Sequence, residues 1–284
     1  MDNSSLTPQL IETSNGPIST TIVGNGYPVV MLHGGGPGAS ALANYRDNLE
    51  AFEGFQVILP DQPGFGGSYR PSEEQLDERS ITEITVDSLY QALDTLGVET
   101  FSLIGNSLGG AAALAMAIAQ PERVNKLVLM APGGGWVPMG PTPTEGQKEM
   151  FRYFNGEGPT LAKMKNFVRV MVKNSKAFDD ESIQRRYEQS LDDDHIAFYH
   201  RLNASFAKRH GMDPLWKELR VVRADTLLVW GRDDRTITLD GAWMMLKDIP
   251  RVQLHVFGEC GHWVQVEKKS EFEQLVTNFL GNPS

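Results

Sequence analysis

Cysteine is nearly absent. The one cysteine among 284 residues, Cys260, has no second thiol to pair with, so no disulfide framework holds the fold and a Cys-pair zinc or redox motif is excluded. Long apolar runs are missing too. AAALAMAIA from Ala111 is the longest strongly apolar stretch; it is half of what a membrane span requires and reads as a buried helix. Basic residues form no stripe: 26 Lys and Arg stand against 36 Asp and Glu, for a formal net charge of −10, which argues against a nucleic-acid surface. HExxH is absent, and no glycine loop meets the GxGxxG spacing of a dinucleotide site convincingly. The opening residues MDNSSLTPQL lack the basic start and apolar core of a secretory signal, so a cytoplasmic enzyme is the expectation. An acidic protein repels anions at long range, and an anionic ligand therefore needs a cation built into its pocket.

What is present is a recurring apolar beat. PVVMLH from Pro28, QVILP from Gln56, FSLIG from Phe101, KLVLM from Lys126, TLLVW from Thr226 and VQLHVF from Val252 are each bounded by Gly, Pro or Asp. Such runs predict strands buried on both faces of a mostly parallel sheet, hence an α/β class. Near the amino terminus, Asn15-Gly16 between two alternating segments signals a hairpin at one sheet edge. Ser80 and Glu83 form a Ser-x-x-Glu capping box opening a helix that ends at Gly97. From 138 to 212 the beat stops: a Pro/Gly-rich entrance leads into helical segments near 145–155, 160–173, 180–190 and 194–209. This segment reads as a helical lid inserted into one large domain whose core is 1–137 and 213–284, a size the chain length allows.

The chemistry begins at Gly105-Asn106-Ser107-Leu108-Gly109. A strand enters this GxSxG pattern and an alanine-rich helix leaves it, the setting of a nucleophile elbow. Glycines two residues either side of Ser107 let strand and helix approach where a Cβ would not fit, and backbone N–H groups at the helix start face whatever the serine attacks. A serine needs a base and the base an orienting acid. In the chain order Ser, Asp, His, both lie after the insertion: GRDD ends one strand and delivers Asp233 and Asp234, and GECGHW ends the next and delivers His262. His33 precedes a glycine loop, His195, His200 and His210 fall in the insertion, and His255 lies within a strand, so His262 is the candidate base. Either aspartate fits. The loop HGGGPG after the first long strand offers a second oxyanion N–H, with Gly35 as candidate.

Taken together, LHGGGPGASALANYRDNL, DQPGFGGS, GNSLGGAAAL, LVLMAPGG and WGRDDRTITLDGAWMMLKDIPRVQLHVFGECGHWVQVEKKSEF resemble the α/β-hydrolase superfamily, and within it the meta-cleavage product hydrolases of bacterial aromatic and steroid ring degradation. The resemblance implies hydrolysis of a carbon-carbon bond in a 2-hydroxy-6-oxo-hexa-2,4-dienoate bearing a bulky 6-substituent. It implies Ser107 as nucleophile, His262 as base, Asp234 as orienting acid, and Gly35 and Leu108 as oxyanion donors. It implies Arg186 as the carboxylate-binding cation, with neighbouring Arg185 leaving the register open, and Gly36, Asn44, Asn106 and Trp263 along the dienoate. No cofactor is implied, nor a membrane or nucleic-acid partner; a homo-oligomer is. An acyl-enzyme and a gem-diol route use many of the same residues. The rival reading is a serine esterase or a proline-iminopeptidase-like enzyme, which would use the acidic segments DDESIQ or LDDDH to hold a substrate amine. A binding protein on the same fold should have lost part of the triad.

Overall fold

A computed structural model describes residues 6–137, 139–174 and 177–281. Pro138, where the expected insertion begins, and Ser175 and Lys176 within it lie outside the described residues. One sheet runs through the molecule, built from β1 (Gln9–Ile11), β2 (Ile18–Val23), β3 (Pro28–Leu32), β4 (Gln56–Pro60), β5 (Phe101–Asn106), β6 (Val124–Met130), β7 (Asp225–Gly231) and β8 (Val252–Phe257). The spatial order is β1-β2-β4-β3-β5-β6-β7-β8. β2 pairs antiparallel with both β1 and β4, and every pair from β4 to β8 is parallel.

Alternation explains why the central strands read as unbroken apolar runs. Val30, Leu32, Leu103, Leu127, Leu129, Leu228 and Trp230 point into one core, while Val29, Met31, Ile104, Val128, Met130, Leu227 and Val229 point into the other. The first core is closed by α3 (Ile81–Thr95), α4 (Leu108–Ala119) and α9 (Asp240–Asp248); the second is closed by α1 (Ala41–Tyr45), the turn of 3-10 helix after it, and α11 (Lys269–Leu280). The reciprocal Ser80–Glu83 capping box starts α3, and α2 (Glu73–Glu78) has its own box from Ser72. Two expectations need correction. VQLHVF is not buried on both faces: β8 ends the sheet, only Phe257 in it is buried, and His255 lies half-buried against the Phe257 ring. The β1–β2 pair does sit at the other edge, but its register ends at Ile11 opposite Ile18, so Asn15-Gly16 belongs to a longer loop and not to a two-residue turn.

Between β6 and β7 the chain runs through α5 (Glu145–Phe154), α6 (Leu161–Met171), α7 (Asp180–Gln189) and α8 (Asp193–Lys208). Each begins at a side-chain cap: Thr144, Thr160, Asp179 and Asp192. These helices share an apolar cluster of Tyr153, Phe154, Met164, Phe167 and Tyr199 with Trp263 of the core. The short helix α10 (Val264–Glu267) precedes α11.

Connections leave β3 toward β4 on one side, and the chain then returns to lay β5 on the other side of β3. Loops beyond the carboxyl ends of β3 and β5 therefore diverge and leave a crevice between them, the usual place for a ligand in an open α/β sheet. Ser107 stands at that crevice, directly after β5. The crevice depends on Gly109, where an added Cβ would lie 2.2 Å from the Leu32 carbonyl oxygen and 2.4 Å from that of His33. Gly109→Ala is expected to cost about 3 kcal/mol by overpacking, roughly 5–10 °C in thermal unfolding. Gly97→Ala, at φ +69 with nothing within 4 Å, should cost only about 1 kcal/mol. Equal melting temperatures for the two variants would show that the close approach is not a constraint.

Candidate active site

Ser107 has φ 55 and ψ −113, a left-handed conformation that side chains avoid at a cost of order 1–3 kcal/mol. The surroundings leave it no alternative. Its N–H donates to Met130 O at 2.9 Å, and its carbonyl accepts from Ala111 N–H and Gly133 N–H at 2.9 and 3.0 Å. On the strand side, a Cβ at Gly105 would stand 2.3 Å from Gly109 O. Strand, turn and helix are thus packed backbone to backbone, and the Ser107 side chain is lifted out of the turn.

His262 follows β8 in a buried loop, and its imidazole Nδ1–H donates to Asp234 Oδ2 at 2.7 Å. Both groups are removed from water, at 2% and 5% exposure. Asp234 is aimed by its other oxygen: Oδ1 accepts from Thr236 N–H at 2.7 Å and Ile237 N–H at 3.0 Å. Asp233 turns away and pairs with Arg232 at 3.2 Å. With Nδ1 committed to the carboxylate, Nε2 remains for proton exchange in the cavity that His262 shares with Ser107.

The loop after β3 lies against the elbow. A Cβ at Gly34 would be 3.4 Å from Ser107 Cβ, and one at Gly35 would be 2.8 Å from Leu108 Cδ2 and 3.3 Å from its Cβ; Gly34 and Gly35 therefore pack against the side chains of Ser107 and Leu108. His33, passed over in the sequence, shapes this loop. Its Nδ1 donates to Gly34 O at 2.9 Å while Nε2 accepts from Gln62 N–H at 2.9 Å. Burial drives its pKa down, Asp61 pulling the other way, and this keeps the ring in the neutral form the two bonds require.

Ser107 stands where two spaces join. The narrow one, about 10 Å³, is lined among others by Asn44, Asn106, Arg186, His262, Trp263 and Phe167. Several polar atoms here have no protein partner: Asn44 Nδ2, Asn106 Oδ1 and Arg186 Nε. Arg186 is 7% exposed, and burial pushes its pKa down to about 10. Among the described residues no carboxylate pairs with it; its guanidinium lies 4.8 Å over the Trp263 ring and 5.8 Å from that of Phe167. Gly36 lies beneath, a Cβ there being 3.1 Å from Phe167 Cζ and 3.7 Å from Arg186 Nη2. Arg185 is exposed and bonds to Ser182 and Glu181 on its own helix, so Arg186 is the inward residue. The second space, about 570 Å³, is walled chiefly by apolar side chains, Phe65, Leu108, Met150, Tyr199, Leu202 and Phe206 among them. The acidic segments stay outside both: Asp179 and Asp192 cap helices, and Asp180, Glu181, Asp193 and Asp194 are exposed.

A family model described as alpha/beta hydrolase fold matches residues 27–269. A 2-hydroxy-6-oxo-6-phenylhexa-2,4-dienoate hydrolase from Burkholderia cepacia is 37% identical over 95% of this chain and 93% of its own. A 2-hydroxy-6-oxononadienedioate/2-hydroxy-6-oxononatrienedioate hydrolase from Paraburkholderia phymatum is 38% identical over 89% and 86%. The chain belongs to the α/β-hydrolase family, among the meta-cleavage product hydrolases. A solved meta-cleavage product hydrolase from Pseudomonas fluorescens IP01 superimposes on this hydrolase with a TM-score of 0.84 at 31% identity, covering 96% of this chain and 97% of that one. Sequence reasoning missed Met150, Phe167, Met171 and Thr236 as cavity residues. An apolar stripe on a helix carries the same signal whether it faces a core or a ligand.

A buried cation without a counterion destabilises the fold at every pH below about 10, and the penalty relaxes only as pH rises through that value. Arg186→Met should therefore raise the melting temperature of this hydrolase by about 2–6 °C at neutral pH. A fall on calorimetry would mean that the guanidinium has a protein partner in solution.

Proposed function

We propose that this hydrolase cleaves a 2-hydroxy-6-oxo-hexa-2,4-dienoate with an apolar 6-substituent, giving 2-hydroxypenta-2,4-dienoate and a carboxylic acid. The observation that carries the reading is Arg186: a buried guanidinium with no carboxylate partner among the described residues, in the same small cavity as Ser107 and His262. A carboxylate suits its fork, while the free Asn44 Nδ2–H can donate to a substrate oxygen and the free Asn106 Oδ1 can accept from the 2-hydroxyl. A substrate amine would meet this cation with the acidic side chains turned outward, which disfavours the peptidase alternative. The names of the Burkholderia and Pseudomonas relatives agree with the reading.

In this mechanism Arg186 holds the carboxylate while the dienol converts to its keto tautomer. His262 takes the Ser107 proton as Oγ bonds to the C6 ketone, and the Gly35 and Leu108 amides receive the oxyanion. The C5–C6 bond then breaks; its electron pair moves through the conjugated 2-oxo-3-enoate onto the C2 oxygen, and the resulting dienolate takes a proton from His262 to give 2-hydroxypenta-2,4-dienoate. Water, deprotonated by the same imidazole, frees the acid from the acyl-enzyme. Asp234 keeps His262 in the Nδ1–H tautomer throughout. The acyl group lies in the apolar space, under a lid formed by the inserted helices α5 to α8. An apolar cavity of about 150 Å³ takes one benzene ring, so a phenyl group fits with room to spare. The homo-oligomer is assigned on the resemblance alone, and the cytoplasm is in keeping with a chain that has one cysteine.

Stopped-flow absorbance with the 6-phenyl dienoate tests this. Wild type should consume the chromophore rapidly, whereas Ser107→Ala should bind it and leave it uncleaved. Asp234→Asn should lower kcat by about 10⁴-fold, the cost of a wrong tautomer in serine triads. Turnover of simple esters with every dienoate inert would replace the reading with an esterase. In the apolar space, Arg152 is paired with Glu149 and largely exposed, and Lys148 is exposed too. The phenyl substrate should therefore exceed the nonadienedioate in kcat/KM by at least about tenfold, since a second carboxylate would be buried there unpaired.

A further inference from the structure

Glu267, the last residue of α10, uses both carboxylate oxygens to join two distant parts of the chain. Oε1 accepts from Gly261 N–H at 2.7 Å, the residue before His262. Oε2 accepts from Lys173 N–H at 2.7 Å and Asn174 N–H at 2.9 Å, just beyond the end of α6. The seam continues on either side. His262 N–H donates to Met171 O at 2.7 Å, and the Arg235 guanidinium, next to Asp234, donates to Val172 O at 3.0 Å. The contact is close enough that a Cβ at Gly261 would lie 2.7 Å from Met171 O and 2.9 Å from Lys173 N.

The two parts are the base and a wall of the cavity it works in. α6 carries Phe167 and Met171, which line the space shared by Ser107, Arg186 and His262, and Phe167 packs edge-on to Trp263, the residue after the base. We propose that Glu267 is a positioning residue that locks the His262 loop to the carboxyl end of α6, so that the base and the wall of the carboxylate-binding cavity keep one relative position. The inference rests on the reading of His262 as the base.

A carboxylate is the group this position calls for. Three N–H donors from two segments converge on it, and two oxygens with four lone pairs satisfy all of them. Successive amides at Lys173 and Asn174 form a small anion cradle of the kind backbone turns make. Glutamine has one carbonyl oxygen, so it can serve Gly261 or the α6 end, while its NH₂ group faces a donor on the other side. Aspartate is one methylene too short to reach both.

Glu267→Gln, Glu267→Asp and wild type should be compared in two measurements. Hydrogen exchange read by mass spectrometry on segments 171–174 and 259–263 should show both losing protection together in each variant, with 101–119 unchanged; this arm does not depend on which substrate the enzyme takes. In the second, a fluorophosphonate counts reactive serine sites, and kcat for the 6-phenyl dienoate is expressed per titrated site. It should fall about 10- to 100-fold, as small misplacements of a catalytic group do. Unchanged exchange in the two segments, or loss confined to one, would overturn the proposal, as would a kcat per site equal to wild type beside a lowered melting temperature. If wild type itself leaves the dienoate intact, the substrate reading fails, and exchange alone decides the role of Glu267.

Discussion

Everything at this site depends on two carbonyl oxygens. Those of Leu32 and His33 occupy the place that a side chain on residue 109 would take, so α4 packs against the end of β3 with no atom to spare. That contact brings the elbow, the β3 loop and the helix start to one point. The residue between strand and helix, Ser107, takes a positive φ there. A residue with a side chain bears that strain here, and the chemistry of the site needs that side chain. Stability is given up at Ser107 and recovered from the all-buried strands on either side, whose alternating side chains fill two cores at once.

Arg186 repeats the pattern in electrostatic form. Its helix α7 places Ile183 and Arg186 on the buried face, and the helix backbone is pressed onto the core where Arg186 O would stand 2.3 Å from a Cβ at Gly38. The guanidinium is thereby held over Trp263, still charged at neutral pH although burial penalises that form. Aromatic faces offset part of that penalty, but an anion offsets far more. The net charge of −10 repels such an anion from afar, so selection occurs in the cavity and not in the approach.

Much of this was legible in the chain itself. Unbroken Val/Ile/Leu runs can hardly be placed except between two layers of helices, and Ser107 and His262 follow from strand ends in the expected order. The edge position of β8 was not legible, because hydropathy reports what a side chain tolerates and not which strand lies beside it. Asp233 and Asp234 are adjacent in one turn, and the choice is made by the amides of Thr236 and Ile237, which only the folded turn presents. Arg186 could have been separated from Arg185 by its spacing from Ile183 and Ser190, three and four residues apart on one helical face. Glu267 sits in VEKKSEF, a charged stretch that reads as a solvated surface until its three donors are seen.

The unequal sizes of the two spaces bear on how a carbon-carbon bond is placed. In the proposed reading the planar, charged half-substrate lies between Arg186 and the asparagines, on the side of the far narrower of the two spaces. The apolar space is many times larger and constrains its contents weakly. A molecule held rigidly at one end and loosely at the other presents the same bond to Ser107 whatever its tail. The orienting interactions are spent on the half that must accept the electron pair, where alignment of the breaking bond with the conjugated system governs the barrier. Variation in α5 and α8, which wall the apolar space, can then change the tail, while α6 and α7, which carry Phe167, Met171 and Arg186, keep the polar half in place.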